Sequence, residues 1–310
     1  MSLTSTPFKD LVTITVSVIN PSFREIHMEM EYKTFRGNLK MPVIGLGTWG
    51  IGGGYWTPDC SRKAEWVALL RRAIEFGYRM FDTAEMYGGG CSEEIVGAAV
   101  SSSGLPRDEF FIISKVWPNH ASYNDVLKSA KSSVSRLGTY IDLYLLHWPS
   151  REVPISETIR AFEKLIDDGL IKFMGVSNFD SRLLMEAMGA AKKYEVVADE
   201  VKYNLSDRFV ERDLMPVAVR ENIAIIAYSP LGTGSLLNPS SKGFEVLSRV
   251  ASKYGKTPAQ VALNWLINKP NTVAIPKATN EKHLKENLGA LGWRLSQEDV
   301  EQLEQAYPIT

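Results

Sequence analysis

Asp82, Tyr87, Lys115 and His147 are the residues whose types and spacing point most directly to chemistry. Asp82 ends the short run Arg79–Asp82, and Tyr87 follows five residues later. Lys115 ends Ile112-Ile113-Ser114-Lys115, and His147 ends Leu145-Leu146-His147. A carboxylate, a phenol, an ammonium and an imidazole are the groups that hold and move protons at a reacting atom. Singly, each has an ordinary structural explanation: a helix cap, a salt bridge, a core histidine. Packing does not account for four such groups on three successive run ends. Asn178, Glu200 and Tyr228 stand at or just beyond the ends of later runs in the same way.

The elements that must carry these residues follow from periodicity. From Met41 onward, β-rich runs alternate with amphipathic stretches. The runs are Val43–Leu46, Arg79–Asp82, Phe110–Ser114, Ile141–Leu146, Lys172–Val176, Val196–Glu200, Ile223–Tyr228 and Thr272–Ile275. Arg62–Phe76, Asp125–Arg136, Ile155–Asp167 and Ser181–Tyr194 read as helices. Thr257-Pro258-Ala259-Gln260 is a helix start with a capping pattern. Gly77, Gly138 and Gly169 each stand between a helix and a strand, as C-caps do. Eight βα units joined by short connections predict a parallel sheet, and eight is the number that closes a (β/α)8 TIM barrel. A doubly wound open sheet is the competing architecture. In a barrel the chemistry collects at the C-terminal strand ends, where the polar residues above lie. Glu31–Phe35 and Leu39–Met41 flank Arg36-Gly37-Asn38 as an N-terminal β-hairpin able to close the barrel bottom. The reading is one barrel domain over 31–310 behind an extension over 1–30. Within the extension, Val12, Ile14, Val16 and Val18 alternate with polar residues, as in a strand. Residues 1–27 are either an added strand or upstream sequence, with Met28 or Met30 the start; the sequence leaves both open.

Composition narrows the function classes. The net charge of −1 provides no basic field for nucleic acid or an anionic membrane surface. No apolar run reaches the roughly 18 residues of a spanning helix, and a cytoplasmic location is the expectation. His27, His120, His147 and His283 show no metal-ligand spacing, so no metal is expected. Cys60 and Cys91 are well apart in sequence and make no disulfide framework, so a reducing compartment fits best. Gly45-Leu46-Gly47-Thr48-Trp49-Gly50 matches the dinucleotide fingerprint G-x-G-x-x-G. That fingerprint needs a helix to open at once, whereas Ile51–Pro58 reads as a loop, so a Rossmann site is set aside. The loop instead offers Trp49, Tyr55 and Trp56 as pocket walls.

Taken together, GYRMFDTAEMYG, ISK, DLYLLHWP, GVSNF, AYSPLG and IPKATNEKHLKEN occur in an order that resembles the aldo-keto reductases, over roughly residues 31 to 307. The resemblance is to a compact member with short substrate loops. It implies a (β/α)8 barrel that binds NAD(P)H and reduces aldehydes and ketones to alcohols by hydride transfer. It further implies that Tyr87 gives a proton to the carbonyl oxygen and that Lys115 makes that phenol more acidic than usual. Asp82 would orient Lys115, and His147 would donate to the same oxygen.

The same resemblance assigns Ser177 and Asn178 to the nicotinamide carboxamide, Tyr228 to the nicotinamide ring, and Ser229, Leu231 and Gly232 to the pyrophosphate. Glu200 departs from the usual Gln; an ionised carboxylate accepts but does not donate. Lys277 matches the lysine for the 2′-phosphate. Ala278 replaces a usual Ser or Thr, and His283 a usual Arg, which grips phosphate better. Glu286 and Asn287 match the adenine contacts. NADP(H) is favoured, with NAD(H) or dual use the alternative.

The chain ends soon after Asn287, which leaves little room for the longer C-terminal loop of relatives with bulky substrates. Trp117 and Trp148 would line an open site for a small carbonyl substrate. Two other functions compete: a cofactor-binding sensor with little turnover, and a barrel hydrolase using Asp82 and Glu200 as an acid pair.

Overall fold

The structure, a computed structural model, describes residues 29–309. The strand expected over 11–19 and the nature of residues 1–27 lie outside them. Eight parallel strands follow one another in chain order around one sheet. They are β3 (Leu46–Gly47), β4 (Met80–Asp82), β5 (Phe111–Val116), β6 (Ile141–Leu146), β7 (Ile171–Ser177), β8 (Val196–Lys202), β9 (Ala224–Tyr228) and β10 (Thr272–Ala274). The sheet closes on itself beside β3. Ile44 bridges Ala274 in parallel, Gly45 N donates to Ala274 O (2.8 Å), and Ala274 N donates to Val43 O (2.9 Å). A closed ring of eight excludes the doubly wound alternative.

The strands are apolar on both faces because both are covered. Along β6, Leu143 and Leu145 enter the barrel interior with Met80, Ile113, Ala198, Ile226 and Val273. Tyr144 and Leu146 face the layer of helices outside. That layer comprises α1 (Lys63–Phe76), α2 (Cys91–Ser101), α3 (Tyr123–Leu137), α4 (Ile155–Asp167), α5 (Ser181–Ala190) and α6 (Leu214–Glu221), then α7 (Phe244–Tyr254), α8 (Pro258–Ile267), α9 (Glu281–Leu288) and α10 (Gln297–Ala306). Two helices, α7 and α8, follow β9, where the barrel pattern asks for one. Thr257 caps α8 in a capping box with Gln260, as the sequence implied. Gly77 and Gly138 end α1 and α3 in the left-handed conformation.

The hairpin, β1 (Tyr32–Thr34) and β2 (Lys40–Pro42), pairs antiparallel. Its Phe35, Leu39 and Met41 are buried in the barrel-interior cluster, so it plugs the bottom and leaves the top open for chemistry.

The structure overturns the expectation for the two cysteines. Cys60, in the loop after β3, is disulfide-bonded to Cys91, the first residue of α2, with Cα atoms 6.2 Å apart. Their sequence separation of 31 is no barrier, because β3 and β4 are neighbours and their top loops meet. With both cysteines paired, they no longer point to a reducing compartment. Among the described residues there is no cluster able to hold a metal ion, and no helix long and apolar enough to cross a membrane.

Candidate active site

The ends of β4, β5 and β6 bring Asp82, Lys115 and His147 to one end of the barrel. Lys115 is fully buried, below the floor of a cavity of about 700 Å³. Its Nζ donates to the Asp82 carboxylate, to Thr83 O (3.0 Å) and to Tyr87 OH (3.4 Å). Tyr87 is positioned by the turn after β4. Its N–H donates to Ala84 O, and Gly88 behind it donates to Gly54 O. At Gly88 the backbone has φ +57°, and a Cβ would lie 2.0 Å from Gly52 O, so only glycine lets the two loops close up.

The electrostatics differ from the sequence expectation in direction. Burial raises the Tyr87 pKa above its usual value, and the pull of Lys115 only offsets part of this. The ammonium was expected to dominate; the dry site outweighs it. Tyr87 thus holds its proton at neutral pH. Lys115 is also pushed above its usual range: burial pulls it down, but the Asp82 and Glu200 carboxyl groups outweigh that burial. Burial and then the Lys115 charge hold His147 well below 6.5, so its ring is neutral. Its Nδ1 is buried with no partner among the described residues, which leaves Nε2 as the nitrogen that can serve a ligand.

Asp82, Tyr87, His147, Trp148, Ser177, Asn178, Glu200, Tyr228, Ser229, Leu231, Lys277 and His283 all line the cavity, with Trp49 and Tyr55 at its mouth. Trp49 packs edge-on to Tyr55 (4.6 Å between ring centroids) and to Tyr87 (5.1 Å). Trp56 and Trp117, read as walls, stand behind the cavity instead and pack on each other at 6.4 Å. Trp117 also abuts the His147 ring at 5.3 Å, which places it as a support for that ring. Gly232 turns the loop after β9 with φ +60°. Asn287 points to Tyr78 under α9, and neither it nor Glu286 reaches the cavity wall.

Several wall residues escaped the sequence reading. Gly47 lets Ile275 O approach to 2.8 Å of where a Cβ would sit, and Met86, Thr233 and Leu237 also line the cavity. The Gly45–Gly50 motif was the only signal for the first, and its role is close approach of backbone. Asn178, at φ +62°, spends both amide hydrogens, on His147 O and Ser177 Oγ (3.0 Å each), and its Oδ1 accepts from Tyr228 OH at 2.8 Å. It therefore fixes the Tyr228 ring, and one Oδ1 lone pair is left for a ligand.

The cavity extends from these groups past Ser229–Gly234 to Lys277, Thr279 and His283. Lys277 has no carboxylate within ion-pair distance among the described residues, and its Nζ lies beside Gly50, 2.9 Å from where a Cβ would stand. An elongated cleft with an unpaired ammonium at one end and buried proton-holding groups at the other fits a phosphorylated dinucleotide cofactor.

Known proteins agree with this geometry. The Aldo/keto reductase family profile matches residues 43–308. Methylglyoxal reductase YeaE of Escherichia coli (strain K12) is 36% identical over 282 residues, 91% of this chain and 96% of that protein. Glyoxal reductase of Bacillus subtilis (strain 168) is 36% identical over 267 residues, 86% of this chain and 89% of that protein. Among solved structures, the thermostable aldo-keto reductase Tm1743, in complex with the inhibitor epalrestat, superposes with a TM-score of 0.85 at 45% identity, covering 89% of this chain and 100% of that one. An aldo-keto reductase from Klebsiella pneumoniae in complex with NADPH does so at 0.81 and 36% identity, covering 91% and 96%. With fold, site and sequence in agreement, the chain belongs to the aldo/keto reductase family.

Proposed function

We propose that the chain reduces small aldehydes, ketones and dicarbonyls to alcohols with NADPH, Tyr87 giving the proton. The observation that carries this reading is the buried chain Asp82–Lys115–Tyr87 opening into a cavity beside a neutral His147. The bound cofactor supplies hydride to the carbonyl carbon. Tyr87 OH donates to the carbonyl oxygen and keeps its proton until that oxygen becomes alkoxide-like, a far stronger base than a phenolate. A phenol with a raised pKa suits this timing, because it does not ionise beforehand. Lys115 then balances the phenolate charge, and Asp82 holds Lys115 in place. His147 Nε2 polarises the same oxygen and orients the substrate.

Ser177, Asn178 and Glu200 would hold the carboxamide and Tyr228 the nicotinamide ring. Ser229, Leu231 and Gly232 would face the pyrophosphate, and Lys277, with His283 near it, the adenosine end. The relatives named for methylglyoxal and glyoxal, together with the open aromatic mouth at Trp49, Tyr55 and Trp148, favour a small carbonyl substrate. A sensor with little turnover would have no use for the complete proton chain.

The test is oxidation of NADPH with methylglyoxal, DL-glyceraldehyde and a nitrobenzaldehyde by wild type and Tyr87→Phe. The variant should lose about 10²–10⁴-fold in kcat while NADPH still binds. Equal turnover would remove Tyr87 from its role, and tight cofactor binding without wild-type turnover would favour the sensor.

A further inference from the structure

Lys115 is shared by two acids. Besides Asp82, its Nζ lies 3.4 Å from Glu200 Oε1, brought across the barrel by β8. All three groups are fully buried. Among the described residues, the other hydrogen-bond partners of Nζ are neutral: Thr83 O and Tyr87 OH. One ammonium therefore faces two carboxyl groups, and the imidazole nearby is neutral. Asp82 Oδ1 and Glu200 Oε1 both reach the same Lys115 Nζ, which holds the two carboxyls close together. Two carboxylates repel at that distance; they bond only when one carries a proton. Glu200 Oε2 is buried and has no hydrogen-bond partner among the described residues, on a residue that lines the cavity.

We propose that Glu200 works as a neutral carboxylic acid sharing one proton with Asp82 over Lys115, and that loss of this proton sets the alkaline limit of the reaction. This rests on the reading of the site given above. Neutral Glu200 offers an O–H as well as an acceptor, which restores the donor–acceptor pair of an amide at this position. It also leaves Lys115 with one counter-charge, so the ammonium remains free to stabilise a phenolate at Tyr87.

The titratable groups around Glu200 are Asp82 from β4, Lys115 from β5, Tyr87 from the loop after β4 and Tyr228 from β9. Burial and the Asp82 charge both push the Glu200 pKa up, and Lys115 counters only in part. A raised pKa means that the proton is present below it and lost above it. Activity therefore falls as pH rises. Ionised Glu200 places a second negative charge on Lys115 and withdraws the O–H.

Two measurements on wild type and Glu200→Gln test this. The first is the pH profile of kcat/KM, each normalised to its own plateau. The alkaline limb of the variant should move to higher pH by about one unit or more, a tenfold lower proton concentration. The second needs no turnover: the infrared carbonyl band of a protonated carboxylic acid should appear in the wild-type-minus-variant difference at neutral pH and fade along the wild-type limb. Asp199, which is also buried, contributes to both proteins and cancels. An unmoved limb, or no difference band, overturns the proposal. A wild type that shows the band but no carbonyl reduction would leave the protonation standing and remove the function.

Discussion

Lys277 shows how one side chain can be read from its surroundings. Burial lowers its pKa, and no acid among the described residues compensates it. An ammonium kept half-buried without a partner is costly unless a ligand supplies the anion. A 2′-phosphate does so; the hydroxyl of NADH does not. Replacing it, Lys277→Met, should raise the KM for NADPH by about ten- to a hundredfold, the worth of a charge-assisted hydrogen bond, and leave the KM for NADH nearly unchanged. Steady-state kinetics with both cofactors measure this. An equal rise for both would place Lys277 elsewhere than at the phosphate. His283 stands next to this position, where Asn280 holds its backbone N–H in the cap of α9.

At the scale of elements, the loop between β3 and α1 is held to the loop after β4 at several points. Tyr55 bridges Tyr87, Trp56 N donates to Met86 O (3.0 Å), and the Cys60–Cys91 disulfide closes the far side. The loop carries the mouth aromatics Trp49 and Tyr55, so the tether positions pocket wall against the proton donor. A cross-link spanning 31 residues restricts the unfolded chain by roughly 3–4 kcal/mol on an entropic account. Dithiothreitol, or Cys60→Ser, should therefore lower the melting temperature. Both should also raise the carbonyl KM more than they change kcat. Calorimetry and kinetics with and without reductant check this, and identical curves in both would show that the loop does not depend on the bond.

At the scale of the molecule, stability and chemistry occupy opposite ends of the barrel. Leu39 is fully buried in the bottom plug, far along the strands from Lys115. Leu39→Ala should cost about 2–5 kcal/mol in denaturant unfolding, as cavity-forming core changes do. Its kcat, measured well below the unfolding transition, should stay at the wild-type value. A large drop in kcat at full folding would mean that the plug transmits strain to the top.

What the sequence determined alone was local or repetitive. Strand periodicity, the Thr257 cap and the Arg36–Asn38 hairpin depend on neighbouring residues, so eight units and their polar ends were legible. Parallel strands of one ring deliver their ends to one mouth, and for that reason Asp82, Lys115, His147, Asn178, Glu200 and Tyr228 could be grouped before any coordinates. Closure of the ring decided the rest. Contact between Glu200 and Lys115 depends on the register of strands that do not pair with each other. Cys60 meets Cys91 because two loops share one rim. The rise in the Tyr87 pKa, opposite to expectation, depends on how completely water is excluded from the floor. These are distances across the barrel and degrees of burial, properties of the assembled ring that no stretch of sequence contains.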